Sequence, residues 1–316
     1  MSHHSFLGSI DLMEVSILRF LLELVPSLLI GFWAGRRHET LSTRLAAPLV
    51  RFGVPISVMG LLLKGGLSSD MLQAAGLAVF AMGLVLVGAA RLPGLAELAS
   101  PTLRLGSCTG NTAYFGVPLA LAFLPDEALP ISIGYDLGAT LLVWSLGPLL
   151  IGGQVDEFQR LRGLLSSVAG SPATRGLIGA LLVQVTPWSA SVADALWWPS
   201  RCVIVLALMV VGMRLGSIHR QGIAPEARPL QLLKPLVAKL LLYPLLLWLL
   251  ASLLQFKPLM VQAVALQGAA PTAISLLLIA ESVGADQERA AGLVFWSTLL
   301  ALITAPAWGV LLRSQF

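Results

Sequence analysis

The run Leu105-Gly-Ser-Cys-Thr-Gly-Asn-Thr-Ala-Tyr-Phe-Gly-Val-Pro-Leu119 sets glycines, a proline and polar side chains inside an otherwise apolar stretch. A helix facing lipid does not tolerate this, because each backbone group left unbonded in hydrocarbon costs several kcal/mol. Such an interruption persists only where protein or a water-filled cavity covers it. In secondary transporters, helices broken in this way form the substrate site near the bilayer midplane. The run therefore implies an all-α, polytopic membrane protein with a broken helix at a binding site.

The rest of the chain agrees with that reading. Of its 316 residues, 57% are apolar and 11% charged, where ordinary soluble domains carry roughly 25% charged residues. Mean hydropathy is +0.86. Apolar stretches long enough for a hydrocarbon core of about 30 Å recur from end to end. Ten are expected, at 14–34, 44–63, 71–90, 103–124, 128–151, 174–189, 196–215, 232–254, 259–282 and 289–312. The sixth is short and interrupted by Pro187.

The net charge of +4 does not point to nucleic acid, because the basic residues alternate between loops instead of forming one patch. With ten spans, thirteen of them, including Arg36, Arg37, Arg91, Arg160, Arg162 and Arg228, fall in loops on one side. Lys64, Lys257 and Arg313 fall on the other. This bias places both termini outside and the loop after the fifth span in the cytoplasm, and implies a multi-pass protein of the cell's inner (plasma) membrane. No cleavable signal peptide is expected, since the first span itself directs insertion. His3, His4, His38 and His219 all lie in tails or loops, and Cys108 and Cys202 lie within spans. The sequence thus gives no sign of a metal cluster, a nucleotide drive or an intramembrane catalytic dyad, and an enzyme is not expected.

The two halves resemble each other. Pro48-Leu-Val-Arg51 leading to Met59-Gly-Leu-Leu-Leu-Lys64 is answered by Pro199-Ser-Arg201 leading to Val211-Gly-Met-Arg-Leu215. The segment from Gly110 to Pro118 is answered by Gln267-Gly-Ala-Ala-Pro-Thr272, and Gly147-Pro148 by Ala305-Pro306. Five spans is an odd number, so the second copy enters from the opposite side. The expected architecture is two inverted five-helix repeats, 1–151 and 173–316, with crossed, broken helices 4 and 9. They are joined by a cytoplasmic connection, 152–172, with a short amphipathic helix at 155–165.

The segment Gly110-Asn-Thr-Ala-Tyr-Phe-Gly-Val-Pro-Leu119 resembles the first crossover of the auxin efflux carrier family, and Gly268-Ala-Ala-Pro-Thr272 resembles its second. The ending Ser297-Thr298 through Thr304-Ala-Pro-Ala-Trp308 is similar to the family's last span. The resemblance implies a ten-span carrier with the inverted-repeat fold of sodium/proton antiporters and bile-acid transporters. It also implies a small organic anion such as malate or malonate as substrate, and a homodimer. The short loop between the halves, and Ala269 and Ala270 in the second crossover, depart from the plant auxin exporters.

A broken helix exposes N–H groups on one half, and that positive end suits a carboxylate. Asn111, Thr112 and Thr272 are candidate side-chain donors, with Gly110, Gly116 and Gly268 allowing close approach beside Pro118 and Pro271. In the blander alternative, Asn111 and Thr112 only satisfy carbonyls freed by Pro118. Tyr114 either lines the cavity or packs. Asp136 falls near mid-depth, where an ionisable group costs at least about 2.5–3.5 kcal/mol unless paired or hydrated. It is a candidate for proton coupling or for sodium coordination, or for a structural pair with Lys239 or Arg201. Lys239 is a candidate for balancing an anion or pairing with Asp136. Arg51 and Arg201 are expected to snorkel. The function implied is a secondary transporter of an organic anion coupled to protons or sodium. A membrane sensor or scaffold that binds without moving its ligand, and an exporter of an auxin-like aromatic carboxylate, are the alternatives.

Overall fold

The computed structural model describes residues 3–66, 68–88, 98, 100–152, 172–221, 230 and 232–314. Among them all regular structure is helical. Helix α1 (His3–Arg37) is followed by α2 (Glu39–Pro48), which runs through a π-helical turn (Leu49–Gly53) into α3 (Val54–Gly65). Next come α4 (Ser69–Gly88) and α5 (Pro101–Gly106). After a non-helical stretch at 107–111, a second π turn (Thr112–Gly116) opens α6 (Val117–Phe123). Helices α7 (Ala128–Gly152), α8 (Pro172–Gln184) and α9 (Ser189–Arg220) follow. A third π turn (Ala238–Leu242) joins α10 (Leu233–Val237) to α11 (Tyr243–Leu253). Helix α12 (Pro258–Gly268) is separated from α13 (Ser275–Val283) by 269–274, and α14 (Gln287–Arg313) closes the chain.

These elements fall on the apolar stretches of the sequence. Among the described residues, five helical segments are long and apolar enough to cross a membrane: Ser69–Gly88, Ala128–Gly152, Ser189–Arg220, Leu233–Leu253 and Gln287–Arg313. The sixth stretch ends early, at Gln184, just before Pro187. The seventh starts early, at Ser189, and takes Pro199 into its interior. The connection 152–172, with the amphipathic helix expected at 155–165, lies outside the described residues except for Gly152 and Pro172.

Each π turn ends two residues before a proline: Pro55, Pro118 and Pro244. Proline has no N–H to return to the carbonyl four residues back, and its ring crowds that carbonyl. Widening the preceding turn relieves both problems without ending the helix. The carbonyl four residues before Pro244, Leu240 O, is taken by the indole N–H of Trp308 at 3.0 Å. Pro118 is thus a first-turn residue of α6, and the true interruption lies upstream, at 107–111.

Packing divides the helices into two groups. Helix α1 lies along α9, and α3 lies against α8 and α9. The α1–α9 contact is reciprocal: a Cβ on Gly31 or Gly35 would strike the carbonyls of Met209 and Met213. One on Gly212 or Gly216 would strike those of Leu28 and Phe32. Small residues four apart let membrane helices approach to backbone contact in this way. In the second group α7 is the hub, touching α4, α6, α12 and α13, while α11 packs on α12. There Gly134 and Gly138 meet the carbonyls of Met71 and Ala75.

The two interruptions meet inside the second group. Gly110 and Thr272 form an isolated antiparallel bridge. Asn111 N–H donates to Pro271 O at 2.7 Å, and Ala273 N–H donates to Thr109 O at 3.2 Å. Two unwound strands, too short to bond internally, therefore satisfy each other where they cross.

Candidate functional site

The crossing brings four helix ends together, and they divide by polarity. The π turn at Thr112 and helix α13 at Ser275 present N-terminal ends to one side. Helices α5 and α12 present C-terminal ends to the other. On the N-terminal side lies a cavity of about 200 Å³. Its volume is below the roughly 300–1,000 Å³ typical of sites for drug-sized ligands. The unwound segments and helix starts contribute residues 109–114 and 273–275 to its wall. Helix α7 contributes Asp136, Ala139, Thr140, Val143 and Trp144, and Val54, Pro172 and Leu278 complete it.

Asp136 is buried. Its Oδ1 accepts a hydrogen bond from Thr112 Oγ1 at 2.5 Å, and the carboxylate also accepts from the backbone N–H of Ala113. Both donors sit in the first turn after the break, so this carboxylate is held by a helix N-terminus. Thr109 Oγ1 is buried in the cavity wall without a hydrogen-bond partner. Asn111 faces the same cavity and does not cap the helix that follows it. Among the described residues, neither lysine nor arginine lines the cavity.

A smaller cavity of about 30 Å³ shares Val54, Ala113, Tyr114 and Asp136 with the first. It is otherwise lined by Ser57, Val58, Leu61, Val117, Ile133, Val203 and Ile204. Tyr114 thus borders both spaces.

Of the residues expected at the site, Gly110, Asn111, Thr112, Tyr114 and Asp136 line the main cavity. The others lie elsewhere at the crossing. Pro118 sits in the first turn of α6. Pro271 gives its carbonyl to Asn111. Thr272 turns its hydroxyl onto Gly106 O at 3.0 Å, while its N–H donates to Ser297 Oγ at 3.0 Å. Gly268 packs against Leu247 and Pro244, and Gly116 leaves room for the Gln267 side chain. Close approach at these two glycines is by the protein itself.

Lys239 is fully buried on the opposite side, where Nζ donates to Gly268 O at 2.6 Å and lies 5.1 Å from the centre of the Tyr243 ring. It makes no ion pair with Asp136. Tyr243 and Tyr135 share a hydroxyl–hydroxyl bond of 2.8 Å nearby. Arg51 and Arg201 stack on Phe52 and Trp197, away from the cavity. Glu281 pairs with Arg214 of α9.

Thr109, Thr140, Trp144 and Ser275 line the cavity without having been singled out in the sequence. For two of them a signal was present: Asp136, Thr140 and Trp144 are four residues apart and share one face of α7. The remaining two sit at turns whose direction only the fold decides.

Residues 161–309 match the model of a family described as membrane transport protein. An uncharacterized transporter of Methanothermobacter thermautotrophicus is 25% identical over 223 residues, covering 71% of this chain and 72% of its own length. An uncharacterized transporter of Methanocaldococcus jannaschii is 24% identical over 218 residues, covering 66% of this chain and 68% of its own. Residues 268–272 fall within the match to the family model and 110–119 precede it; the chain is similar through its second half to the membrane transport protein family, and over about two thirds of its length to two uncharacterized transporters.

Proposed function

We propose that this protein is a ten-span secondary transporter, built as two inverted five-span repeats, that moves a small organic anion by alternating access with proton coupling through Asp136. The observation that carries this reading is the main cavity. Two helix N-termini, the Asn111 amide and the unpartnered Thr109 hydroxyl converge on it, and its charged residue is a buried carboxylate. Donors at helix N-termini suit a carboxylate group on the substrate. An ionised Asp136 in the same space opposes an anion, so the anion enters with a proton on Asp136. That makes the two cargoes obligate companions.

The helix groups supply the moving parts. The bundle of α4–α7 and α10–α14 carries the crossing, and α1–α3 with α8–α9 form the frame against which it slides. The cavity runs from the crossing toward Trp144, Pro172 and Leu278. On the reading that places Pro172 at the cytoplasmic end and both termini outside, this is an inward-facing state. Val54, Ala113, Tyr114 and Asp136 then form the wall between the cytoplasmic cavity and the small space beyond it.

The test is uptake of radiolabelled malate, and then a panel of small mono- and dicarboxylates, into proteoliposomes under an imposed proton gradient. Accumulation that collapses when the gradient is dissipated is expected. Folded protein that moves none of these acids under any gradient overturns the reading.

A further inference from the structure

Half-helix C-termini and unwound carbonyls at such a crossing are where transporters of this general design hold a coupling sodium ion. A sodium ion needs several carbonyl or carboxylate oxygens turned toward one point. The fate of each last-turn carbonyl at the two C-terminal ends is therefore informative.

In α5, Leu103 O accepts from Ser107 N–H at 2.9 Å and Arg104 O from Ser107 Oγ at 2.7 Å. Leu105 O accepts from the N–H groups of Cys108 and Thr109, and Gly106 O from Thr272 Oγ1 at 3.0 Å. In α12, Ala265 O and Leu266 O both accept from Ala269 N–H, and Gln267 O accepts from Ala270 N–H at 3.2 Å. Gly268 O, the last, accepts from Lys239 Nζ at 2.6 Å. Each final carbonyl thus ends on a side chain, Thr272 at one helix and Lys239 at the other. The Lys239 nitrogen also lies beside the other unwound strand, 3.6 Å from where a Cβ on Gly110 would sit.

We propose that the Lys239 ammonium is a tethered cation occupying the position a coupling sodium ion would take at this crossing, so that the protein is indifferent to sodium. A buried ammonium without a carboxylate partner is costly. Here the negative end of α12, the Gly268 carbonyl and the face of the Tyr243 ring offset that cost. The widened turn Ala238–Leu242, set by Pro244, brings the lysine to this point. Asp136 does not offer an alternative sodium site, because the groups bonded to it are donors, Thr112 Oγ1–H and Ala113 N–H, and not further oxygens turned toward a metal. The inference rests on the transport reading only for its meaning in coupling; the occupancy itself is independent of any substrate.

The test is thermal unfolding of purified protein in sodium chloride against choline chloride at equal ionic strength, with radiolabelled sodium binding as a second readout. Wild-type protein is expected to have the same midpoint in both salts and to bind no sodium. Lys239→Ala opens space beside the Gly268 carbonyl and is expected to gain a saturable, sodium-specific rise of roughly 2–5 °C. Lys239→Met refills that space with an apolar side chain and is expected to gain none. A sodium-specific rise or sodium binding in wild-type protein overturns the proposal, and that arm decides even where a variant fails to fold. An alanine variant that folds and stays blind to sodium also overturns it. Failure of carboxylate uptake would sink the transport reading while leaving these results untouched.

Discussion

The two sides of the crossing are made of the same parts, four helix ends and two unwound strands, yet they are finished differently. On the C-terminal side the last carbonyls are consumed by neighbouring N–H groups, by Thr272 and by Lys239. On the N-terminal side a cavity remains, with a threonine hydroxyl that bonds to nothing and an asparagine that caps nothing. Protein interiors rarely leave polar groups unsatisfied, because each one costs about 1–3 kcal/mol. On the proposed reading, the open side, whose unused donors face a cavity, is the one built for a ligand, and the closed side holds the crossing together.

Substitutions on each side should therefore separate binding from stability. The largest effect is expected at Asp136, the charge on the open side. Asp136→Asn should cut proton-driven accumulation of substrate by roughly 100-fold or more, as expected when about 3 kcal/mol of coupling is removed. Exchange of substrate across proteoliposomes without a gradient should survive. Accumulation at wild-type levels would break the comparison at its centre.

Next in size is Thr272→Val, on the closed side. It strands Gly106 O without its hydroxyl partner, a loss of about 1–3 kcal/mol, and should lower the unfolding midpoint by several degrees. Substrate affinity in the folded fraction should not change. Asn111→Ala and Thr109→Val should show the reverse, weakening affinity up to about tenfold through one hydrogen bond each while leaving the midpoint within about 2 °C. Equal effects of the two sets on binding would erase the distinction drawn here.

The smallest effect is expected at Gln267, which is fully buried beside Gly116 with neither amide atom bonded. Replacing an orphaned amide by an apolar chain of similar shape removes a desolvation cost. Gln267→Met should change stability by less than about 1 kcal/mol or raise it, as measured by denaturant or thermal unfolding. A large loss would mean that the amide has a partner in another conformation of the protein.

The sequence revealed the interruptions more readily than their direction. Glycine and polar residues in a lipid-length stretch are costly enough to mark a break, so 107–111 and 269–274 were both legible. The partition of the chain into apolar stretches was equally plain, apart from the early end before Pro187 and the early start at Ser189, which Pro199 does not delay. Pro118 was misleading, because a proline two residues past a π turn accommodates a helix instead of ending it. Which way a side chain turns at an unwound strand depends on the partner strand. Thr272 therefore looked like a ligand group, whereas it caps Gly106, and Ala273 and Ser275 took its place at the cavity. Lys239 was recognisable as an intramembrane charge. Its destination, the end of a helix 29 residues further along the chain, is set by how α10, α11 and α12 pack and is not written in local spacing.

The chain carries its own reference for the most direct test, because Cys108 is buried at the closed side while Cys202 is exposed. In a Cys202→Ser background, Ser275→Cys adds a thiol to the cavity wall. Inside-out vesicles treated with a charged, water-soluble thiol reagent, followed by mass spectrometry, report which cysteine has reacted. The account predicts modification at position 275, slowed by substrate, with Cys108 left untouched. Modification of Cys108 with position 275 spared would contradict it, since water and ligand would then reach the side assigned here to structure.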